Sequence, residues 1–424
     1  MTTETNATDT GHSAAAATAA TAGLDAPVLI LGGGIGGLAA AIALAKRGIA
    51  SRVLERRTAF DTEGAGIQLG PNGTRILQEL GVAARLEPHA GKPFIIHVRD
   101  AARADTLAKL PLGQWIADRH GAPYWVAHRR DLHNALRETA EAEPLVTISM
   151  GVAAERVEDA SDRVIVHTVG GGSIEGPCLI AADGIRSQVR RDIFGAPAPR
   201  YAGKSAARAV IPYDKLPKSL RENATAIWLA PGAHIVHYPV SGGDDVAIVF
   251  TRDERQASED WNAEVPRAWV LDSARDFAEA LRMLLEAAPQ WRKWALYELA
   301  PLPTWAKGRI ALLGDAAHPT LPFLAQGGVL ALEDAVVVAR EIAARPADPA
   351  AAFVTYDRAR RNRSTRVVAE ARRNGQIYHL SGLMALSRNL ALKLTPPERL
   401  MARYDWVYGW KGASSLSRGG VLTG

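Results

Sequence analysis

Three observations predict an α/β fold: a parallel βαβ sheet, interrupted by an inserted mixed β-sheet and followed by a helical C-terminal region. The first is a strand–glycine loop–helix–strand unit between Val28 and Glu55. The second is a pair of later apolar strands, one ending in Asp183-Gly184 and the other in Gly314-Asp315. The third is a stretch, 204–302, rich in short β-branched and aromatic runs.

The unit at Val28 reads VLILGGGIGGLAAAIALAKRGIASRVLE. Val28 to Leu31 is short and apolar, as a buried strand should be. Gly32, Gly34 and Gly37 then follow in G-x-G-x-x-G spacing. Leu38 to Ala45 is Ala/Leu-rich and free of proline, which favours a helix. One glycine makes the tight turn, one lets the backbone approach a pyrophosphate, and one lets the helix pack against the strand. Ile35 and Gly36 belong to the same loop, where unpaired helix N–H groups face an anion. Glu55, 18 residues past Gly37, is placed to accept ribose hydroxyls, and Arg56 flanks it. Strand, loop, helix and acid together predict a Rossmann-like dinucleotide site.

Composition narrows the class. The chain has 424 residues, long enough for more than one domain. A 47% hydrophobic and 22% charged make-up is that of a folded soluble protein. The net charge of +5 gives no reason to expect nucleic acid and mildly favours anionic small molecules. A single cysteine, Cys178, excludes an intrachain disulfide and a cysteine-rich metal site, and no metal is expected. Residues 1–25 are Thr/Ala-rich and lack a basic start, so they read as a disordered tail. No apolar run is long enough to span a membrane, and a cytoplasmic location is expected.

The remaining elements follow in order. After Glu55, glycines at 64, 66, 70 and 73 mark irregular backbone, and Thr74 to Leu80 reads as a short helix. That loop reads either as passing a bound cofactor at Gln68 or Leu69, or as plain surface. FIIHVRD and PYWVAHR read as strands, and Arg129 to Ala140 as a helix whose first arginine can pair with phosphate. His128, Arg130 and His133 read as structural or solvent-facing. Leu179 to Ala182 runs into Asp183-Gly184, a nucleotide contact or an ordinary βα turn. Strands are expected at Ala206–Ile211, Ala226–Leu229, His234–Pro239 and Val246–Thr251, with a helix over Asp272–Ala287. Ile310 to Leu313 is a strand closed by Gly314-Asp315, where Asp315 suits a polyol or serves as a cap. Gly327 and Gly328 precede a helix, Val329 to Ile342, with Glu333 and Asp334 in its first turns. The arginines of Ala352–Asn374 suggest a solvated face or a salt-bridged interface, and Tyr404–Trp410 a packed plug or subunit contact.

These segments together resemble the single-component flavin-dependent aromatic hydroxylases, those similar to para-hydroxybenzoate hydroxylase. GGGIGG at 32–37, DG at 183–184 and GDAAHP at 314–319 carry the resemblance over nearly the whole chain. GPNGTRIL (70–77), HIVHYP (234–239), LPFLAQGG (321–328) and YDWVYGW (404–410) resemble the branch of 3-hydroxybenzoate 6-hydroxylase, salicylate hydroxylase and 6-hydroxynicotinate hydroxylase. The resemblance implies a tail at 1–25 and an FAD-binding domain in three parts (26–92, 128–203, 306–345). A substrate domain in two parts (93–127, 204–305) and a helical region (346–424) complete it.

It also implies non-covalent FAD, with Gly32, Gly34 and Gly37 at the pyrophosphate and Glu55 at the adenosine ribose. Arg129 would reach the phosphate region, and Asp315 the ribityl and pyrophosphate side. Gly327, Gly328 and Val329 would approach the flavin pyrimidine, and Asp183 both FAD and nicotinamide. NAD(P)H, with NADH favoured, would be a transient reductant without its own fold. O2 and a small aromatic carboxylate would be the other partners, in a monomer or homodimer. In such enzymes a flavin C4a-hydroperoxide attacks an electron-rich ring, so a base near the phenol is useful. His234 matches the family's substrate-side histidine. Strand alternation puts Val236 and Tyr238 beside it and turns His237 away. Pro322 and Phe323 complete the expected pocket. Relatives acting on 3-hydroxybenzoate carry glutamine where this chain has Pro322, and LPFLAQGG looks more like the salicylate and hydroxynicotinate enzymes. His318 is expected to be structural.

Overall fold

The computed structural model describes residues 24–60, 66–257 and 263–412. The expected N-terminal tail lies outside them except for its last two residues, and Leu24 is buried in the core rather than part of a free tail. Gly64 also lies outside the described residues.

Six strands form the first sheet. Their spatial order is Ala306–Lys307, Ile310–Leu312, Leu179–Ala181, Val28–Leu31, Ser51–Glu55 and Val146–Met150. All pairings are parallel except the hairpin at the Ala306 edge. The central strands are continuous apolar runs because both faces are covered. Helix Ile35–Ala45 is buried over ten of its 11 residues, packed between the sheet and helix Gly327–Ala344. Fully buried Leu38, Ile42 and Leu44 each contribute roughly 1.5–3 kcal/mol.

Eight strands form the second sheet, in the order Ala263–Val265, Trp291–Glu298, Arg200–Pro212, Asp245–Asp253, Ala233–Val240, Ala224–Ala230, Ile95–Asp100 and Thr106–Pro111. Both chain excursions enter this one sheet. They meet at a parallel seam that pairs Ile95 with Ala224 through Asp100 with Leu229, while its neighbours pair antiparallel. A two-stranded ribbon, Gly66–Leu69 with Trp125–His128, bridges the sheets.

Several expectations change. The helix expected over Asp272–Ala287 is broken into Arg267–Leu271, a 3-10 turn at Asp272–Ala274 and Glu279–Glu286. Ala278 is extended there because its N–H donates to Ala101 O at 2.8 Å, a tertiary bond that stops the helix. The helix expected from Thr74 starts at Pro71, whose missing N–H suits the first turn. Gly327 and Gly328 lie inside the first turn of their helix, with Gln326 as its cap. Glu333 and Asp334, expected in the first turns for the helix dipole, fall beyond the first turn of this helix. Both are fully buried and pair with arginines of helix Pro349–Tyr378.

That arginine-rich helix is therefore a salt-bridged internal interface. Arg360 lies 2.8 Å from Glu333 and 2.7 Å from Asp334, and Arg363 is 2.7 Å from Glu333. Asn72 donates to Glu333 at 2.7 Å, which adds helix Pro71–Glu79 to the network. Tyr404–Trp410 packs within the chain, with Arg363 donating to Trp406 O and Val407 O. No helix among the described residues is long and apolar enough to cross a membrane.

Candidate active site

One cleft runs from the glycine loop to the eight-stranded sheet. Gly34, Ile35, Gly36, Gln68, Arg129, Asp315, Gly327 and Gly328 line it at one end. His234, Val236, Tyr238 and Pro322 line it at the other. The sequence thus named both ends, and the fold joins them.

The loop end is built by close packing. Gly32 adopts φ +108°, and a Cβ on Gly37 would stand 1.9 Å from Gly32 O, so both must be glycine. A Cβ on Gly34, by contrast, would meet nothing within 4 Å. This is open space at the start of an 11-residue helix, where N–H groups are unpaired and the dipole favours an anion. Glu55 is nearly buried and accepts from Gly33 N at 2.7 Å and Arg57 N at 3.0 Å, so it also shapes the loop. His133 reaches Gly33 O at 2.8 Å, and His128 caps the helix behind Arg129.

Asp315 is exposed at the end of the Ile310–Leu312 strand. Its turn is clamped from below. Asp334 accepts from Gly314 N at 3.1 Å and contacts His318 Nε2 at 2.5 Å. Arg190 donates to Ala316 O and Ala317 O at 3.0 and 2.9 Å, and burial lowers its pKa to about 10. Asp183 caps the helix after it by accepting from Gln188 N at 3.0 Å. Burial holds its carboxyl above the usual range, and its Oδ1 is buried without a partner among the described residues. Its neighbours Ala182 and Gly184 line the cleft.

Some predicted residues stand back from the cleft. Leu69 and Val329 are fully buried core residues, because their side chains fill the spaces beneath the loops they were read from. Arg56 is exposed. Phe323 turns inward against Gly375 and meets His234 edge-on, with ring centroids 5.3 Å apart.

The sheet end presents a row of side chains across four strands. Trp294 pairs with Ala206, Ala206 with Thr251, and Thr251 with His234. In the next row Arg208 pairs with Val249, and Val249 with Val236. Sequence reasoning missed Arg208, Val249, Thr251 and Trp294, all of which line the cleft. His237 faces the other side, stacked near Trp228, as alternation predicted. Tyr238 is buried, with its phenol pushed up by burial.

His234 is 3% exposed. Its Nδ1 lies 2.8 Å from His379 Nε2, and its Nε2 has no hydrogen-bond partner among the described residues. Burial, then His379 and Lys204, holds its pKa well below the usual value, so the ring is neutral. A neutral imidazole with one nitrogen unpartnered, in an apolar cleft that also holds an anion cradle, suits proton removal from a substrate beside a nucleotide cofactor.

Residues 25–371 match the family described as "FAD binding domain". The chain belongs to the FAD-dependent aromatic hydroxylases. It is 37% identical over 394 residues to "3-hydroxybenzoate 6-hydroxylase" of Polaromonas naphthalenivorans, covering 93% of this chain and 98% of that one. To "6-hydroxynicotinate 3-monooxygenase" of Bordetella bronchiseptica it is 34% identical over 349 residues, covering 80% and 89%. The solved structure "Salicylate hydroxylase substrate complex" superimposes with a TM-score of 0.77 at 26% identity, covering 91% of this chain and 95% of that one. The protein is an FAD-dependent monooxygenase of that branch, and its residues fit the cofactor. The open cradle at Gly34, the unpartnered Asp183 Oδ1 and the exposed Asp315 are the features an extended dinucleotide would complete.

Proposed function

We propose that this hydroxylase acts on a phenolic aromatic carboxylate, in the manner of 3-hydroxybenzoate to gentisate, using O2 and NAD(P)H, with NADH preferred. The observation that carries this reading is His234, neutral and buried in the cleft wall, with Nε2 lacking any protein partner among the described residues.

Gly32, Gly34 and Gly37 would hold the FAD pyrophosphate and Glu55 the adenosine ribose. Arg129 and Asp315 would take the phosphate and ribityl region, and Gly327 and Gly328 the pyrimidine end. When bound, FAD supplies reducing equivalents and activates the oxygen atom that the ring receives. His234 Nε2 accepts the phenol proton, which makes the ring a better nucleophile. Val236 and Tyr238 shape an apolar wall that fixes the ring beside it. Leu321, Phe323 and Leu324 are buried and keep water from the reacting centre.

A second reading is decarboxylative hydroxylation of a salicylate or 6-hydroxynicotinate type substrate. Pro322 favours it, because this cleft-lining residue offers no side-chain donor. An oxidase or dehydrogenase on the same fold is the remaining alternative. Labelled O2 with NADH and a panel of benzoate and pyridine carboxylates tests all three. Label in a ring hydroxyl, with or without CO2 release, separates the first two. NADH oxidation without label in any product rejects the hydroxylase reading.

A further inference from the structure

His234 does not stand alone. Its Nδ1 is 2.8 Å from His379 Nε2, and His379 Nδ1 is 2.7 Å from Asp253 Oδ1. The three side chains form a line from the cleft to the surface, since the side chain of His379 is 4% exposed and that of Asp253 is 52% exposed. Three elements hold the line in place. His379 ends the long helix Pro349–Tyr378, whose last carbonyls, Ile377 O and Tyr378 O, accept from Arg388 at 2.9 and 3.0 Å. Gly232 N, in the hairpin turn, donates to His379 O at 3.1 Å, and Asp253 N donates to Gly232 O at 2.8 Å. Tyr378 and Phe323 pack on the His234 ring, each with centroids 5.3 Å away.

The hydrogen bonds set the tautomers. The Asp253 carboxylate, at 2.7 Å a nearer partner of His379 Nδ1 than Lys204 at 3.0 Å, favours the tautomer with the proton on Nδ1, which leaves His379 Nε2 as an acceptor. His234 must then carry its proton on Nδ1, which leaves Nε2 as a lone pair for substrate. Lys204 also bonds Asp253 and lies 3.0 Å from His379 Nδ1. Burial first, and then Lys204 and Arg388 on the neighbouring helix, make a cationic His379 unfavourable despite the opposing pull of Asp253.

We propose that His379 and Asp253 are a positioning pair and proton exit for His234, passing the substrate's phenolic proton to solvent while neither imidazole stays charged. In the step, the phenol O–H bond breaks and its proton joins His234 Nε2. The Nδ1 proton of His234 moves to His379 Nε2, and the Nδ1 proton of His379 moves to Asp253 Oδ1 and then to water. The substrate is left as phenolate, one proton has entered solvent, and nothing is oxidised or reduced. The reverse path returns a proton to the oxygen once product forms, which restores both tautomers. Such a path lets a base that cannot hold a proton still remove one.

This inference rests on the assignment of His234 as the phenol's base, and its test separates the two. Flavin-loaded His379→Gln, Asp253→Asn and His234→Ala are assayed for hydroxylated product per NADH from pH 6 to 9. The substrate is 3-hydroxybenzoate or salicylate, whichever the labelled-oxygen assay shows to be hydroxylated. Glutamine can accept the His234 Nδ1–H but cannot pass a proton on. His379→Gln is expected to bind FAD normally and to lose about fivefold or more in product per NADH near pH 6.5. The deficit should shrink towards pH 9, where hydroxide assists, and Asp253→Asn should show a milder form of it. A merely structural role would give a deficit independent of pH. If His234→Ala is impaired while both other variants match the wild type at every pH, the exit path is overturned and the base stands. If His234→Ala is itself unimpaired, both are overturned. Should His379→Gln fail to hold flavin, Asp253→Asn, altered at a half-exposed site, decides the matter by the same pH profile.

Discussion

Phe323 stands edge-on to His234, its ring 5.3 Å away, and its other side fills the space over Gly375 where a Cβ would lie 2.4 Å from the ring. The loop that closes the cleft is thus keyed into the long C-terminal helix, and the same ring that locks the loop orients the imidazole of His234.

Replacing His234 by alanine should lower the rate of ring hydroxylation by about a hundredfold or more, the usual worth of a positioned base. FAD should remain bound, because His234 lies at the far end of the cleft from the glycine loop. Rapid-reaction kinetics and peroxide assay check this. A normal hydroxylation rate with normal coupling would remove His234 from the role.

Two glycines of one loop should behave differently. Gly34→Val is expected to fold with nearly normal stability but to purify with little flavin, because its side chain enters empty space meant for a ligand. Gly37→Ala is expected to lose about 3 kcal/mol or more, because its Cβ would strike Gly32 O. Flavin absorbance and denaturation of the two variants make the comparison, and equal flavin loss with equal destabilisation would contradict it.

Arg360 is 1% exposed and paired with Glu333 and Asp334. Arg360→Ala should cost about 3–5 kcal/mol, since buried Asp334 loses its arginine and buried Glu333 one of its two. The Gly314–His318 turn, which Asp334 holds, should loosen with it. Urea unfolding measures the first effect and FAD affinity the second.

Glu254 lies 2.8 Å from Lys293 and 2.9 Å from Arg252, and accepts from Trp269 Nε1 at 3.2 Å. Burial pushes its carboxyl up, but the bonds outweigh it and the pKa falls to about 2. The folded value is below the unfolded value of about 4.3, so the contribution to stability is complete above that pH and is lost as pH falls towards 2. Glu254→Gln should therefore flatten the stability profile between about pH 4 and 2. A slope identical to that of the wild type would show that the ion pairs do not control it.

Pro322→Gln would place an amide in the cleft wall. One added hydrogen bond to a substrate is worth about 1 kcal/mol, so kcat/KM for 3-hydroxybenzoate relative to salicylate should rise about fivefold to tenfold. A ratio unchanged by the substitution would locate substrate choice elsewhere.

The parallel sheet and the cofactor loop were legible in the sequence because they rest on local signals, glycine spacing and apolar runs, whereas His234 was singled out by the resemblance of HIVHYP, with alternation adding Val236 and Tyr238 beside it. Arg208, Val249 and Thr251 were not legible, because their positions depend on the register between strands, which no single strand encodes. His379 was hidden for a related reason. It ends a helix 145 residues beyond His234, and only the fold brings the two rings together. Glu333 and Asp334 misled because helix position argues for a dipole role, whereas burial against Arg360 was a tertiary fact. The break at Ala278 was likewise fixed by a carbonyl from the other excursion, Ala101.

The parallel seam between Ile95–Asp100 and Ala224–Ala230 bears on how the chain is made. On the ribosome, the hairpin at 95–111 emerges long before its partner strand exists. The nascent chain must carry one unpaired, apolar strand edge until residue 230 has left the exit tunnel. Assembly of the substrate sheet is then a late, non-local event, slower than closure of the nucleotide sheet's first strands. The interval before residue 230 is when this enzyme most needs protection from aggregation during synthesis.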